Sequence, residues 1–257
     1  MEITSSIKIE PKSQIQYSKC ILFLSMFYLV FFLSSAILAH KLVYFGNYMT
    51  SVSTFVLPFT FILADVIAEV YGYALSRQLI WAALLSEFLF AIIMLIAVSI
   101  HSPHALSNSG AYKTVFSSFT RIFIGNVIAM ISSIFINIYA ITKSKILLKG
   151  RFFWLRSLGA SIVGEFIFTL ICVIIAFAGV TPISDMPQLI LTSFLFKVIF
   201  NPLAVIPASY LVPYLKKKEN IDVYDTETDF NPIKIGSGSN NKKNISARVY
   251  AFQAKSK

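Results

Sequence analysis

The sequence predicts an all-α integral membrane protein with six transmembrane helices and with both termini in the cytoplasm. Three observations support this fold class: the apolar composition, the length of the uncharged stretches and the distribution of Lys and Arg. Of the 257 residues, 56% are hydrophobic and 13% are charged, whereas a soluble domain has about 25% charged residues. The charged residues are clustered, and the apolar stretches between them are about 20 residues long, enough to cross a hydrocarbon core of about 30 Å.

The chain divides into three parts by composition. Residues 1–19 are a polar N-terminal segment, 20–214 hold the six helices, and 215–257 are a basic cytoplasmic tail. From residue 219 onward the tail has Asn-Pro, Gly-Ser repeats and scattered charges without apolar periodicity, so we expect it to be disordered. The first helix lacks a small-residue cleavage site and is interpreted as retained. The predicted spans are 20–39, 52–71, 78–100, 119–141, 157–180 and 189–214.

The basic residues determine the predicted orientation. Twelve Lys and Arg lie before the first span, in the second-to-third and fourth-to-fifth loops, and directly after the sixth span. The opposite loops hold Lys41 and Lys113, with Arg121 at a helix start. Because short cytoplasmic loops are enriched in Lys and Arg, both termini are assigned to the cytoplasm. The net charge of +10 is therefore interpreted as topology, with the lipid bilayer and not nucleic acid as the partner.

The sequence predicts no metal site, disulfide or cofactor. Cys20 and Cys172 lie far apart, at or within predicted spans, where cysteine behaves as a small apolar residue. The three histidines, His40, His101 and His104, fall in external loops without metal-binding helical spacing or a carboxylate cluster.

Five ionisable residues fall inside the predicted spans: Asp65, Glu69, Glu87, Glu165 and Lys197. Each such residue costs about 2.5–3.5 kcal/mol or more at bilayer depth, and such residues usually face a cavity or a partner. One lysine neutralises at most one carboxylate. The remaining acids must be protonated, reach water or contact a ligand, which favours a small-molecule transporter.

Helical spacing predicts that polar side chains of several spans face a common interior. Asp65 and Glu69 are four residues apart. Glu69 lies near the cytoplasmic end and is also able to pair with Arg77. For Glu87, a bridge to Lys197 and a role in proton coupling both stay open. Asp65 and Glu69 share a face of the second span with Thr54, Pro58 and Phe61. The polar stripes of the other spans are Asn126, Ser133 and Asn137 in the fourth, Ser161, Glu165, Thr169 and Cys172 in the fifth, and Ser193, Lys197 and Asn201 in the sixth. For their Ser, Thr and Asn members, hydrogen bonding between helices is the alternative interpretation.

One segment of the second span resembles the signature of the queuosine precursor transporter family, also called the VUT family. The segment begins with Pro58-Phe59-Thr60-Phe61, continues through Asp65 to Glu69-Val70-Tyr71-Gly72, and is followed by the basic residue Arg77. Further similarity lies in Trp154, Arg156 and Ser157 before the fifth span, in Ala176, Phe177 and Gly179 at its end, and in Lys197 and Pro207–Val212 of the sixth. The resemblance covers roughly residues 20–215. The chain departs from the family pattern at Ile134 and Asn137, where the family carries Gln and Asp, and in the surroundings of Glu165 and Phe168.

The resemblance implies uptake of 7-cyano-7-deazaguanine or 7-aminomethyl-7-deazaguanine across the inner membrane for tRNA queuosine salvage. A guanine-like edge presents adjacent N–H donors that a carboxylate accepts in pairs. Asp65 and Glu165 are the expected acceptors, Asn137 and Lys197 the expected partners of the carbonyl and ring nitrogens, and Glu69 a further substrate-binding candidate. Phe and Tyr rings are expected to stack on the heterocycle.

Two alternatives remain open: the substrate-binding subunit of an energy-coupling vitamin importer, and a transporter of another small heterocycle. No positioned nucleophile or metal motif accompanies the acids, so an enzyme is not expected. The choice between proton symport and facilitated diffusion stays open, as does the oligomeric state.

Overall fold

Six long helices form the described part of this chain, as predicted. The computed structural model describes residues 19–39, 41–100, 119–179, 182–226 and 228–233. All six helices are long and apolar enough to cross a membrane, which confirms the fold class. The helices are α1 (Lys19–Leu38), α2 (Leu57–Tyr71), α3 (Tyr73–Ser99), α4 (Phe119–Leu147), α5 (Phe153–Phe177) and α6 (Met186–Glu219).

A short hairpin between α1 and α2 was not predicted. Strand β1 (Leu42–Phe45) pairs in antiparallel register with β2 (Tyr48–Ser51), and a 3-10 helix (Val52–Phe55) leads into α2. Phe45 lies opposite Tyr48, so the loop has two residues, and Gly46 takes the left-handed φ of 60° that such a tight hairpin requires.

Helix α2 is the centre of the bundle. It contacts each of the other five helices, and twelve of its fifteen residues are buried. By contrast, α1 and α3 expose large apolar side chains, among them Leu22, Phe23, Leu85 and Ile93. Outward apolar faces of this kind suit contact with lipid chains. The buried polar residues lie mainly on α2 and on the helix faces that pack against it.

Three helix ends extend five or six residues beyond the predicted spans, each near charged residues. Helix α3 begins directly after Gly72, α4 continues through Lys145 to Leu147, and α6 runs on to Glu219. A span predicted from hydropathy ends at the first cluster of charged residues. In the structure the helices continue through these clusters, because several of the charged side chains are buried against neighbouring helices. Pro202, Pro207 and Pro213 lie inside α6, where each removes a backbone hydrogen bond.

The chain turns back after α6 and lies along the basic end of the bundle. Asn220 has a left-handed φ of 54°. Residues 221–226 and 228–233, here called the C-terminal strap, then pass over the junction of α2 and α3. The strap includes the first part of the predicted tail. Residues 234–257, residues 1–18 and the three histidines lie outside the described residues.

Candidate functional site

Asp65 lies at the centre of the polar interior and is fully buried. Asn137 donates from Nδ2 to Asp65 Oδ1 at 2.6 Å, and the Ser157 and Ser161 hydroxyls donate to Asp65 Oδ2, the latter at 3.5 Å. Neutral groups from α4 and α5 thus surround this carboxyl group, and no cation of the described chain forms an ion pair with it.

Close helix packing brings these donors to Asp65. A Cβ at Gly164 would lie 3.0 Å from Asn137 Cβ and 3.0 Å from Phe61 Cε1. Such distances are shorter than ordinary contact, so only glycine at position 164 lets α5 approach α2 and α4 this closely. Phe61 and Phe168 meet edge to face beside the site, with ring centroids 6.2 Å apart.

Glu165 and Lys197 lie on the facing sides of α5 and α6. Asn201 donates from Nδ2 to Glu165 Oε2 at 2.9 Å, and Lys197 Nζ donates to Thr169 Oγ1 at 2.8 Å. Lys197 Nζ also lies 4.8 Å from the ring centroid of Phe168, within the range of a cation–π contact. The two helices are therefore joined by two polar contacts one turn apart.

Three buried oxygen atoms in this interior lack a hydrogen-bond partner within the described chain: Asn137 Oδ1, Glu165 Oε1 and Asn201 Oδ1. Buried polar atoms are almost always paired, so each exception needs an explanation. Lys197 uses one of its three N–H donors. The interior thus has free acceptors from three helices and free donors from one ammonium group. A small molecule with several N–H groups and a carbonyl would satisfy both.

Glu87 occupies a separate position, between α3 and α4. Asn126 donates from Nδ2 to Glu87 Oε1, while Oε2 has no partner in the described chain. The bridge to Lys197 that the sequence left open is not formed, since Lys197 contacts Thr169 instead. Among the described residues, Glu87 is therefore a buried acid without a cationic partner. It lies at a distance from the contacts around Asp65 and Glu165.

Glu69 is not part of the Asp65 interior but belongs to an ion cluster at the basic end of the bundle. Its Oε2 accepts from Arg156 Nη1 at 2.9 Å and its Oε1 from Lys216 Nζ at 2.7 Å. Lys145 Nζ lies 3.9 Å from Oε1 and donates to the Glu69 backbone carbonyl. Asp222 of the strap completes the cluster by pairing with Lys145 at 2.7 Å and Lys216 at 2.9 Å.

Arg77 binds the C-terminal strap instead of Glu69. It donates from Nη1 to the carbonyls of Asp229 and Asn231, and Trp81 Nε1 donates to the carbonyl of Pro232. Gly72 lies beneath the strap: its φ is 91°, and a Cβ there would lie 2.8 Å from Val223 Cγ1. The second half of the signature segment thus holds the strap, while its first half faces the polar interior.

The strap also caps helix α3. Tyr73 N donates to Asp225 Oδ2 at 2.9 Å, and the Tyr73 hydroxyl donates to the Phe230 carbonyl at 2.9 Å. Gly72, at the N-cap position, has no side chain to satisfy this amide, so a carboxylate from the strap does so. Tyr224 packs beside the ion cluster, where burial and then the charge of Asp222 raise the pKa of its hydroxyl.

Two apolar grooves lie on the outside of the bundle, away from the interior acids. One, of about 280 Å³, lies between α4 and α5 beside Arg156. The other, of about 320 Å³, lies between α1, α2 and α6. Neither includes Asp65, Glu165 or Lys197. The free hydrogen-bonding atoms therefore identify the candidate site better than cavity size does, because they lie in an enclosed part of the bundle.

Sequence reasoning found most of the polar interior but missed several partners. Asp65, Asn137, Glu165 and Lys197 are buried together as predicted by the stripes. Ser157 lies at the start of the predicted fifth span, and its position beside Arg156 in the segment that resembles the family is the sequence signal for its role. The sequence does not predict that Lys145, Arg156 and Lys216 are buried, because Lys and Arg beside an apolar span are expected at the membrane surface.

Comparison with known proteins agrees with a membrane transporter. The sequence profile described as "putative vitamin uptake transporter" matches residues 51–212. A "probable queuosine precursor transporter" of Bacillus subtilis (strain 168) is 25% identical over 138 residues, which cover 53% of this chain and 60% of that protein. The chain thus aligns with less than two thirds of this relative's length. No solved structure matches the chain.

Proposed function

Because this chain belongs to the putative vitamin uptake transporter family, we propose that it imports a 7-deazaguanine precursor of queuosine for tRNA modification. The chain is a multi-pass membrane transporter. The proposal adds the substrate, 7-cyano-7-deazaguanine or its 7-aminomethyl analogue, and the inner membrane as the location, with the basic end of the bundle facing the cytoplasm. One relative is named as a probable queuosine precursor transporter, and the family is described as one of uptake transporters, which supports a transport role.

The free acceptors of the interior are the observation that carries this proposal. A guanine edge has a ring N–H next to an exocyclic amine and next to a carbonyl. Glu165 Oε1 is free to accept from such N–H groups, and Lys197 has N–H donors left for the carbonyl. Phe61 and Phe168 lie beside these polar groups and are available to stack on the flat heterocycle of the proposed substrate.

Asp65 and Asn137 act together in this proposal. Both oxygens of Asp65 already accept hydrogen bonds, so its main contribution is to hold Asn137. With Nδ2 fixed on Asp65, the amide oxygen of Asn137 is directed elsewhere and stays free. We therefore propose that Glu165, Lys197 and Asn137 contact the substrate directly. Asp65 does not contact it but holds the Asn137 amide in place. Glu69, whose two oxygens bind cations, closes the basic end and does not contact the substrate.

Glu87 is the proposed proton-coupling group. A carboxylate without a cation is costly at bilayer depth, so a bound proton is the simplest way to neutralise it. Because Glu87 is bonded to Asn126 and not to the Asp65 contacts, it can gain or lose a proton without being a ligand. Glu87→Gln should abolish the response of uptake to an imposed pH gradient. Wild-type uptake that ignores such a gradient would remove this role.

The decisive experiment is salvage in cells that cannot make the precursor. This chain should restore tRNA queuosine when either deazaguanine is supplied, and Glu165→Gln and Asp65→Asn should not. Ser209→Ala is a matched control, because within the described residues the Ser209 hydroxyl donates to the Val205 carbonyl of its own helix and lies outside the proposed site. Full restoration by both acid variants would exclude the proposed site. Co-purification of ATPase subunits with the chain would instead favour an energy-coupling importer.

A further inference from the structure

Glu165 and Lys197 have opposite formal charges and are buried next to each other without forming an ion pair. Their side chains are 0% and 3% exposed, and they lie close enough for their charges to interact. Opposite charges attract more strongly in a low-dielectric interior than in water. A direct ion pair is therefore the expected arrangement unless other contacts hold the two groups apart.

Two neutral residues occupy the places that the ion pair would take. Lys197 binds the Thr169 hydroxyl, and Glu165 binds the Asn201 amide. Thr169 follows Glu165 by four residues on α5, and Asn201 follows Lys197 by four residues on α6. Since the helices run in opposite directions here, the positions of Glu165 and Lys197 along the helix axes are offset by one helical turn, about 6 Å of rise.

The hydrogen bonds also fix which way each neutral group faces. Thr169 donates its own hydroxyl proton to the Glu165 backbone carbonyl at 2.6 Å, so its oxygen is directed to accept from Lys197. Asn201 uses an N–H on Glu165 Oε2, which leaves Glu165 Oε1 and Asn201 Oδ1 free. Each charged group thus keeps unused bonding capacity that a direct ion pair would consume.

We propose that Thr169 and Asn201 are positioning residues that keep Glu165 and Lys197 apart, so that a ligand edge with an N–H beside a carbonyl bridges them. The N–H is donated to Glu165 Oε1 and the carbonyl accepts from Lys197 Nζ. This inference rests on the proposed function for the ligand, but the spacing of the two charged groups is testable without any ligand.

The ligand-free test is a double-mutant cycle on thermal unfolding of the full chain in detergent. The Tm losses of Glu165→Gln and Lys197→Met are compared with that of the double variant, first in the native chain and then with Thr169→Val. Coupling between the two charged groups should be larger with Thr169→Val, because the freed ammonium group then pairs with Glu165. Equal coupling in the two backgrounds would overturn the inference.

The second test is binding of 7-cyano-7-deazaguanine to the purified chain in lipid nanodiscs. Thr169→Val keeps the side-chain shape but removes the hydroxyl, and should weaken binding by about tenfold or more. Thr169→Ser restores the hydroxyl and should recover most of the affinity, while Ser209→Ala should match wild type.

The unfolding cycle and the binding assay distinguish the positioning role of Thr169 from the identity of the substrate. Equal loss of affinity in Thr169→Val and Thr169→Ser would overturn the positioning role, since a merely structural role depends on packing and not on the hydroxyl. If the wild-type chain does not bind this deazaguanine, the proposed function fails, and the unfolding cycle still decides whether Thr169 separates the two charged groups.

Discussion

Asp65 and Glu69 are two carboxyl groups one helical turn apart on the central helix, yet their surroundings are opposite in kind. Asp65 accepts from neutral Asn137 and Ser157. Glu69 accepts from the cations Arg156 and Lys216. Both acids are buried to the same extent, so burial alone does not distinguish them.

The two regions differ in how completely their carboxyl groups are paired. At Glu69 each carboxylate oxygen pairs with a cation, and Asp222 of the strap also pairs with Lys216, so the charge of Glu69 is already balanced by the described chain. Around Asp65 and Glu165 the donors are neutral and several acceptors are free. Buried charges are stable only when paired or hydrogen-bonded. The proposed function therefore places the ligand at this incompletely paired set, and the following changes test the contrast from the largest expected effect to the smallest.

Glu69→Ala should be the most destabilising change. It leaves Lys145, Arg156 and Lys216 clustered around one missing carboxylate, and removing one partner of a buried pair costs about 3–5 kcal/mol. Thermal unfolding in detergent measures the loss, with exposed Lys217→Ala as the control. A loss no greater than that of the control would mean that the cluster does not close the basic end.

Gly164→Ala should cost about 1–3 kcal/mol, because the new methyl group would overpack the contact with Asn137 and Phe61. Gly159→Ala is a matched control on the same helix. A Cβ at Gly159 meets nothing within 4 Å, so this change should be neutral or stabilising. Equal Tm values for the two variants would show that α5 does not need the close approach at position 164.

Asp225→Ala should cost about 1–2 kcal/mol, because it removes the carboxylate that caps the amide of Tyr73. Limited proteolysis should also cleave the strap faster in this variant, with the cut mapped by mass spectrometry. An unchanged cleavage rate and an unchanged Tm together would show that the strap is held without this cap.

Asp65→Asn should have the smallest effect on stability, within about 1 kcal/mol, because no cation is left without its partner. The same change should nevertheless reduce uptake strongly, since an amide in place of the carboxyl group cannot accept from Asn137 and Ser157 on both of its polar atoms. Thermal unfolding and deazaguanine uptake are measured on the same preparation. A large Tm loss with normal uptake would reverse the contrast between Asp65 and Glu69.

Much of the fold was predictable because its determinants are local in sequence. Apolar runs set the six helices, and four-residue spacing placed Asp65 and Glu69 on one face of α2. The helix ends at Tyr73 and Leu147 were not predictable in this way, because burial of nearby charges depends on helices distant in sequence.

The sequence by itself determined that acids lie inside a six-helix membrane domain, since composition and periodicity are sufficient for that conclusion. Only the tertiary structure decided which acid is neutralised and by what. Glu69 contacts cations 76, 87 and 147 residues away, and Asp65 contacts neutral donors 72 and 92 residues away. Spacing along one helix fixes which face a side chain occupies, but the partner it meets is set by how separate helices pack.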